Sequence, residues 1–301
     1  MEQWTIGNVS ITKLVEFGGW APVEMTQSAV PDASREEVER IAWLTPTFLR
    51  DGTMGGGVHS FLIETPDQKL VVDTGIGNGK KRANPFFDGL ATDYLERFGE
   101  VFAPKDVDGV ICTHLHGDHV GWNTRLEGDT WIPTFPQAKH FFGKDEYAHW
   151  QAYASDPAMG AVYSADAHDQ VDGEAVFEDS LKPVADAGLI AWAQAGDHVA
   201  PEISLIGTPG HTPGHVSVLI ESRGESAVIT GDLMHSPYQI ARPEWSASLD
   251  TDQTRAARTR REFLDRFAGT RTLVLGSHFG EPTGGLVVRD GSSFRLEVPG
   301  A

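Results

Sequence analysis

Apolar residues alternate with polar ones in Trp4–Ile6 and Val9–Phe17, on either side of Gly7-Asn8, which predicts a hairpin of half-buried strands. A loop with Gly18, Gly19 and Pro22 follows. Val38, Ile41 and Leu44 share a helical face, and Ser34 with Glu37 forms a capping box, so a short helix is expected here, ended by Pro46. Apolar runs then mark two strands, Val58–Glu64, opened by Gly55–Gly57, and Lys69–Asp73, with a turn at Pro66-Asp67 between them. A glycine-rich loop from Asp73 to Gly79 leads to a helix around Tyr94–Phe98, with Thr92 as its cap and Gly99 past its end, and to a strand Gly109–Thr113.

From 139 to 195 the pattern is less regular. Strand Lys139–Gly143 and helix Lys144–Tyr153 precede a loop-like span to about Ala175 and a helix Phe177–Ala187. Beyond it the spacing predicts strands Ile203–Ile206, Val216–Glu221 and Ala227–Thr230, and a helix Asp252–Ala268. Strands Thr272–Leu275, Leu286–Arg289 and Phe294–Val298 close the chain. Strands and helices alternate in two sets without a Pro/Ser-rich linker, which predicts a single α/β domain, 1–301, of two halves with an irregular, lid-like insertion at about 144–195.

Composition narrows the function classes. The 301 residues hold 24 Lys plus Arg against 43 Asp plus Glu, a net charge of −19, which argues against nucleic acids and anionic membranes as partners. The single Cys, Cys112, excludes an intrachain disulfide and a multi-thiolate metal site; in an apolar strand it reads as inert core. The N-terminal residues show no basic-then-apolar leader, and no apolar run approaches the ~20 residues of a membrane span, so a cytoplasmic location is expected.

The 12 histidines are the feature that asks for chemistry. Directly after the apolar strand 109–113 comes His114-Leu115-His116-Gly117-Asp118-His119, four metal-ligand types within six residues. His114 and His116, two apart in extended chain, can share one ion, and Gly117 lets the chain turn so that Asp118 and His119 reach another. Such a string arises by chance in roughly one chain of this composition in a thousand. Three more candidates end apolar strands: His211 in Thr208-Pro209-Gly210-His211, Asp232 in Thr230-Gly231-Asp232, and His278 in Gly276-Ser277-His278.

In their order and flanking glycines these motifs resemble the metallo-β-lactamase superfamily, with Asp73 at a strand end matching its first motif; the likeness runs from about Val58 to Leu286. The resemblance implies a four-layer αββα sandwich around a groove holding two divalent ions, zinc being the preferred one. It assigns His114, His116 and His211 to one ion, Asp118, His119 and His278 to the other, and Asp232 together with a hydroxide to both. Asp118 can also relay a proton, and Asp73 is expected to fix the tautomer of a ligand histidine.

Single positions separate the branches of that superfamily. Flavodiiron proteins have Glu where this chain has His116, and β-lactamases lack the carboxylate that Asp232 supplies. Nucleases of the fold need a basic surface, and glutathione-dependent members need basic residues that cannot be placed here. The remaining resemblance is to lactonases and methyl-parathion-hydrolase-like enzymes. Three residues after Asp232, where quorum-quenching lactonases typically carry Tyr, stands His235, which either donates to a developing oxyanion or leaving group or merely packs beside the site. The expectation is hydrolysis of a neutral small-molecule lactone or carboxylic ester, the alternatives being phosphotriester hydrolysis and iron-dependent redox chemistry. A homodimer is an expectation at the level of the family only.

Other polar and aromatic residues carry plainer readings. His215 is expected to hold structure by hydrogen bonding, and His59 to face a neighbouring loop. Arg255, Arg258, Arg260, Arg261 and Arg266 read as a solvated helix face paired with Glu262 and Asp265. Trp150, Tyr153, Tyr163 and Trp192 line either a substrate pocket or a subunit interface.

Overall fold

Neighbouring residues of the central strands are buried in different places, and that alternation builds the layers. The structure is a computed structural model describing residues 1–156 and 172–298. Its first half contains β1 (Gln3–Ile6), β2 (Val9–Pro22), β3 (Leu49–Arg50), β4 (Thr53–Glu64), β5 (Lys69–Val72) and β6 (Gly109–Ile111). A hairpin of β7 (Thr124–Glu127) and β8 (Thr130–Pro133) precedes β9 (Lys139–Gly143) and β10 (Ile190–Ala193). The second half contains β11 (His198–Ala200), β12 (Ile203–Gly207), β13 (Val216–Ser222), β14 (Glu225–Ile229), β15 (Leu273–Leu275), β16 (Gly284–Asp290) and β17 (Ser293–Glu297). The first sheet has the order β1-β2-β4-β5-β6-β9-β10 with β3 on β4, and the second runs β11 to β17 in sequence.

Ile63, Val72 and Ile111 of the first sheet share a core with Val218, Ile220 and Ile229 of the second. Their chain neighbours Leu62, Val71 and Val110 face the opposite way, onto Tyr94 and Phe98 of the helix Tyr94–Gly99. Leu219 and Val228 likewise turn outward onto Phe263 and Leu264 of the helix Gln253–Phe267. Two sheets separating three apolar cores give helices, sheet, sheet, helices: the expected αββα sandwich. Each fully buried aliphatic or Phe side chain contributes about 1.5–3 kcal/mol, so this alternation fixes both faces of each sheet.

Strand direction decides where the site forms. β5 and β6 are parallel, so Asp73 and His114 leave the first sheet at one edge. β12 and β14 both pair antiparallel with β13, and β15 is parallel to β14. The ends that release His211, Asp232 and His278 therefore lie together at one edge of the second sheet. The Val216 amide donates to the Thr113 carbonyl (2.9 Å) and ties the two edges.

Several elements differ from the sequence reading. β2 runs on to Pro22 and β4 starts at Thr53, because Gly18 and Gly19 pair with Gly57 and Gly56 rather than forming a loop. A Cβ on Gly18 would lie 2.5 Å from the Gly56 carbonyl oxygen, so only glycine permits this approach. Within the expected insertion at 144–195 the described residues carry regular structure, while most of the expected loop-like span, residues 157–171, lies outside the described residues. The regular part includes the helix Lys144–Ser155, a continuous helical stretch from Gly173 to Asp186 with a π-helical turn at Phe177–Leu181, and β10, which extends the first sheet beside β9. Tyr163 lies outside the described residues.

Candidate metal centre

The loop after β6 turns back as a short helix, Gly117–Val120, and two groups of side chains converge there. His114, His116, His211 and Asp232 form one; Asp118, His119 and His278 form the other. In the first, His116 Nδ1 lies 2.9 Å from His114 Nε2 and 3.0 Å from His211 Nε2. Asp232 Oδ2 completes it at 3.4 Å from His211 Nε2 and 3.8 Å from His114 Nε2. In the second, His119 Nε2 and His278 Nε2 are 3.2 Å apart, and Asp118 Oδ2 is 3.7 Å from both. Asp232 Oδ1 lies 3.2 Å from His119 Nε2 and 3.0 Å from His278 Nε2. A single carboxylate thus presents one oxygen to each cluster.

The opposite ring nitrogens show which atoms are free to ligate. His119 Nδ1 donates to Asp73 Oδ2 (2.9 Å), His211 Nδ1 to Asp250 Oδ1 (2.9 Å), and His278 Nδ1 to the Gly57 carbonyl (2.9 Å). His114 Nδ1 donates to Thr113 Oγ1 (3.1 Å), which itself donates to Asp73 Oδ2 (2.9 Å). With those protons committed, the inward-facing nitrogens of both clusters are the ones left to bind a cation, either a proton or a metal ion shared between them. His116 Nε2 is buried without a partner while its ring packs edge-on to Trp150, leaving Nδ1 as its inward atom. Tetrahedral zinc with ligands at 2.0–2.2 Å requires ligand atoms about 3.3–3.6 Å apart, close to the observed spacings. The residues fit two divalent ions.

Electrostatics agree with that fit. Burial pushes His114 and His116 well below the usual histidine range, holding them neutral as ligation demands. For His119 and His278 burial acts the same way, but Asp232 and Asp118 outweigh it; His119 is held well above its ordinary value and His278 is raised to about 9. This excess of negative charge is what a cation would neutralise.

His235 comes into the same centre. Its Nε2 lies 3.2 Å from Asp232 Oδ2, and its ring is parallel to that of His278 at 5.6 Å. His215 holds structure, as expected: it takes the Asp232 amide proton on Nε2 (2.9 Å) and donates from Nδ1 to Thr208 Oγ1 (2.8 Å). His59 meets the Gly276 carbonyl at 3.2 Å, and Cys112 is buried core.

The sequence did not reveal several supports. Asp250 orients His211 from 39 residues away. Glu146 accepts from the Leu115 amide (3.3 Å), the Gly214 amide (2.9 Å) and Trp150 Nε1 (2.8 Å), so it binds the two histidine loops together. Arg258 and Arg261 pair with Glu262 and Asp265 at the surface, but Arg260 is fully buried, a correction to the solvated-face reading. Trp150 and Tyr153 are buried beneath His116, whereas Trp192 is exposed beside Tyr147.

The cleft beside the centre is built from other residues. Phe17, Trp20, Met25, Met54 and Phe86 line a space of about 780 Å³ that ends at Asp118 and His278. A smaller cavity of about 150 Å³ reaches His116, Asp118 and Asp232 from the other side. Asn84, Phe87 and Asp118 border both. Large apolar side chains left exposed around a concavity mark a ligand site rather than a failure of packing.

Comparison with known proteins places these features. The sequence profile of the Metallo-beta-lactamase superfamily matches residues 53–291. An N-acyl homoserine lactonase of Bacillus sp is 26% identical over 190 residues, which are 57% of this chain and 61% of that protein. The chain thus spans less than two thirds of the length of that relative. Among solved structures, AidC, described as a dizinc quorum-quenching lactonase, superposes with a TM-score of 0.81 at 22% identity, covering 100% of this chain and 97% of its own. The hydrolase AbOPH superposes with a TM-score of 0.78 at 25% identity, covering 98% and 96%.

Proposed function

Because the chain belongs to the metallo-β-lactamase superfamily, we propose that it is a dinuclear metal-dependent hydrolase of a neutral small-molecule lactone or carboxylic ester, acting as one domain. The observation that carries this reading is the divided carboxylate of Asp232, with Oδ2 toward His211 and Oδ1 toward His119 and His278. On this reading His114, His116 and His211 would hold one ion and Asp118, His119 and His278 the other, with Asp232 placed to serve both. Imidazole and carboxylate donors suit zinc. Bound there, two such ions would lower the pKa of a water and polarise the substrate carbonyl.

The chain's own residues do the rest. Asp73, Asp250, Thr113 and the Gly57 carbonyl lock the ligand tautomers. Asp118, partly exposed where the two cavities meet, is placed to take a proton and return it to the leaving group. The wide cleft, walled by Phe17, Trp20, Met25 and Phe86, accommodates an apolar arm. Among the described residues that line it there is no Lys or Arg, and Arg82, which lines the smaller cavity, is held by Asp179; both favour an uncharged substrate. The names of the lactonase relatives support a lactone as that substrate.

The deciding experiment is a panel of aryl acetates, γ-lactones, acyl-homoserine lactones and paraoxon offered to the zinc-loaded protein. Lactones or esters should turn over, with kcat/KM rising as the apolar arm lengthens. Paraoxon turnover alone would establish the phosphotriester reading instead. Inactivity toward all four rejects both hydrolytic readings, and iron with oxygen consumption rejects hydrolysis in favour of redox chemistry.

His235 is assigned to transition-state stabilisation through its place against Asp232. His235→Phe should lower kcat by about 10²-fold while leaving two bound metals, as expected for the loss of one positioned proton donor. Steady-state kinetics with metal analysis checks this, and an unchanged kcat would leave His235 a packing residue.

A further inference from the structure

The segment from Asp232 to Asp250 carries more chemistry than regular structure. It holds Asp232 and His235 and ends at Asp250, which orients His211, yet beyond the turn Gly231–Leu233 its regular structure is the four-residue helix Tyr238–Ala241. Such a stretch has no ladder of its own to set its path, and a shift of about 1 Å in a positioned group is enough to cost catalysis heavily. Its position must be set from outside.

Arg260 is the residue in place to do so. On the helix Gln253–Phe267 its neighbours Arg258 and Arg261 face solvent, but its own guanidinium is fully buried. Nε donates to the Leu233 carbonyl (2.7 Å), next in sequence to Asp232. Nη1 donates to the carbonyls of Pro243 and Trp245, both at 2.7 Å, and Nη2 lies 3.6 Å from Asp250 Oδ2. The Trp245 carbonyl also accepts from Gln239 Nε2 (2.8 Å), while Gln239 Oε1 accepts from the His235 amide (2.7 Å). One side chain therefore reaches the segment at both ends and in its middle.

The same helix also grips the loop of His211. Thr259 Oγ1 donates to the Pro209 carbonyl (2.8 Å), and a Cβ on Gly210 would fall 2.4 Å from the Ala256 amide nitrogen. Burying a guanidinium is costly, and an apolar residue would pack this helix as well or better. What an apolar residue lacks is a planar fork of five donors, which here satisfies three carbonyls and faces one carboxylate.

We propose that Arg260 is a positioning residue of the metal centre: through Leu233 and Asp250 it sets where Asp232 and His211 stand, and thereby the affinity of the site formed with His114 and His116. This rests on the metal-binding reading above. The other cluster shares Asp232 but has supports of its own, Asp73 for His119 and the Gly57 carbonyl for His278, so its ion should weaken less than the one at His211.

Arg260→Lys keeps the charge and removes the fork. In the metal-free protein it should accelerate amide exchange across residues 233–250 at least tenfold, measured by mass spectrometry. In zinc titrations against a chelator it should raise the dissociation constant of the ion at His211 about 10- to 100-fold and that of the other ion, which shares only Asp232, by less. Arg258→Lys, on the exposed face of the same helix, should alter neither quantity. Asp250→Asn keeps the shape and loses the charge, and it should weaken the same ion, which identifies it as the one at His211; Arg260→Met, which can pack there without donating, carries the test should Arg260→Lys fail to fold. Exchange and affinities like those of the unmodified protein would overturn the proposal. So would equal weakening of both ions together with a lower melting temperature, the signature of general destabilisation. An unmodified protein that binds no zinc would overturn the metal reading instead, and the exchange rates across 233–250 would still decide the role of Arg260.

Discussion

Asp232→Ala should lower kcat/KM for the substrate found in the panel by at least about 10³-fold, which is about 4 kcal/mol of transition-state stabilisation. The two oxygens of this carboxylate face different clusters, so its loss removes a ligand from each. Metal content should fall from two ions per chain toward one or none. The fold should survive, because the Asp232 backbone amide keeps its bond to His215 and the lost side chain touches only imidazoles. Asp232→Asn separates charge from shape: it fills the same space with one acceptor oxygen, and it should also lose the second ion. Circular dichroism, metal analysis and kinetics on both variants check this. Turnover like that of the unmodified protein, with metal content intact, would refute a shared carboxylate.

What could be read in the sequence was what is local along the chain. The string from His114 to His119 is six residues long, and it follows an apolar strand whose end can be recognised, so the place and direction of the ligands follow from the alternation itself. The same holds for His211, Asp232 and His278, each just past an apolar run. The supports are different in kind. Asp250 meets His211 across 39 residues, and Glu146 meets the Gly214 amide across 68. No spacing rule connects such pairs. Arg260 shows the limit most plainly: its neighbours on the helix obey the surface pattern, and only the packing of the 232–250 segment against that helix buries it. The cleft was hidden for a further reason. Its walls come from the stretch Phe17–Trp20 of β2, the short helix Val23–Thr26 that carries Met25, and the loop at Phe86, three places where exposed aromatic and apolar residues read singly as ordinary surface.

Asp73 should prove the most sensitive residue outside the ligand set. It is buried, and its carboxylate accepts three hydrogen bonds: from the Thr113 amide (2.8 Å) on Oδ1, and from Thr113 Oγ1 and His119 Nδ1 (2.9 Å each) on Oδ2. Its backbone sits at φ +54°, a region that Asp and Asn tolerate and most other side chains avoid. Asp73→Ala would leave three buried donors without acceptors, each costing about 1–3 kcal/mol, so a loss of about 4 kcal/mol and a fall in melting temperature of about 6 °C are expected. That result alone would fit a turn cap as well as a tautomer lock. Asp73→Asn distinguishes them, since it keeps the backbone preference and one acceptor oxygen but places an amide donor against either Thr113 or His119. His119 can then satisfy its Nδ1 only by moving its proton or its ring, and Nε2 no longer faces His278 as a lone pair. The Asn variant should therefore lose only about 1–2 kcal/mol of stability, about one lost hydrogen bond. Yet its zinc affinity at the His119–His278 site should fall about 10- to 100-fold, and kcat with it. Equal small losses in stability and affinity would reduce Asp73 to a cap, whereas affinity that falls much further than stability shows it fixing the proton on His119.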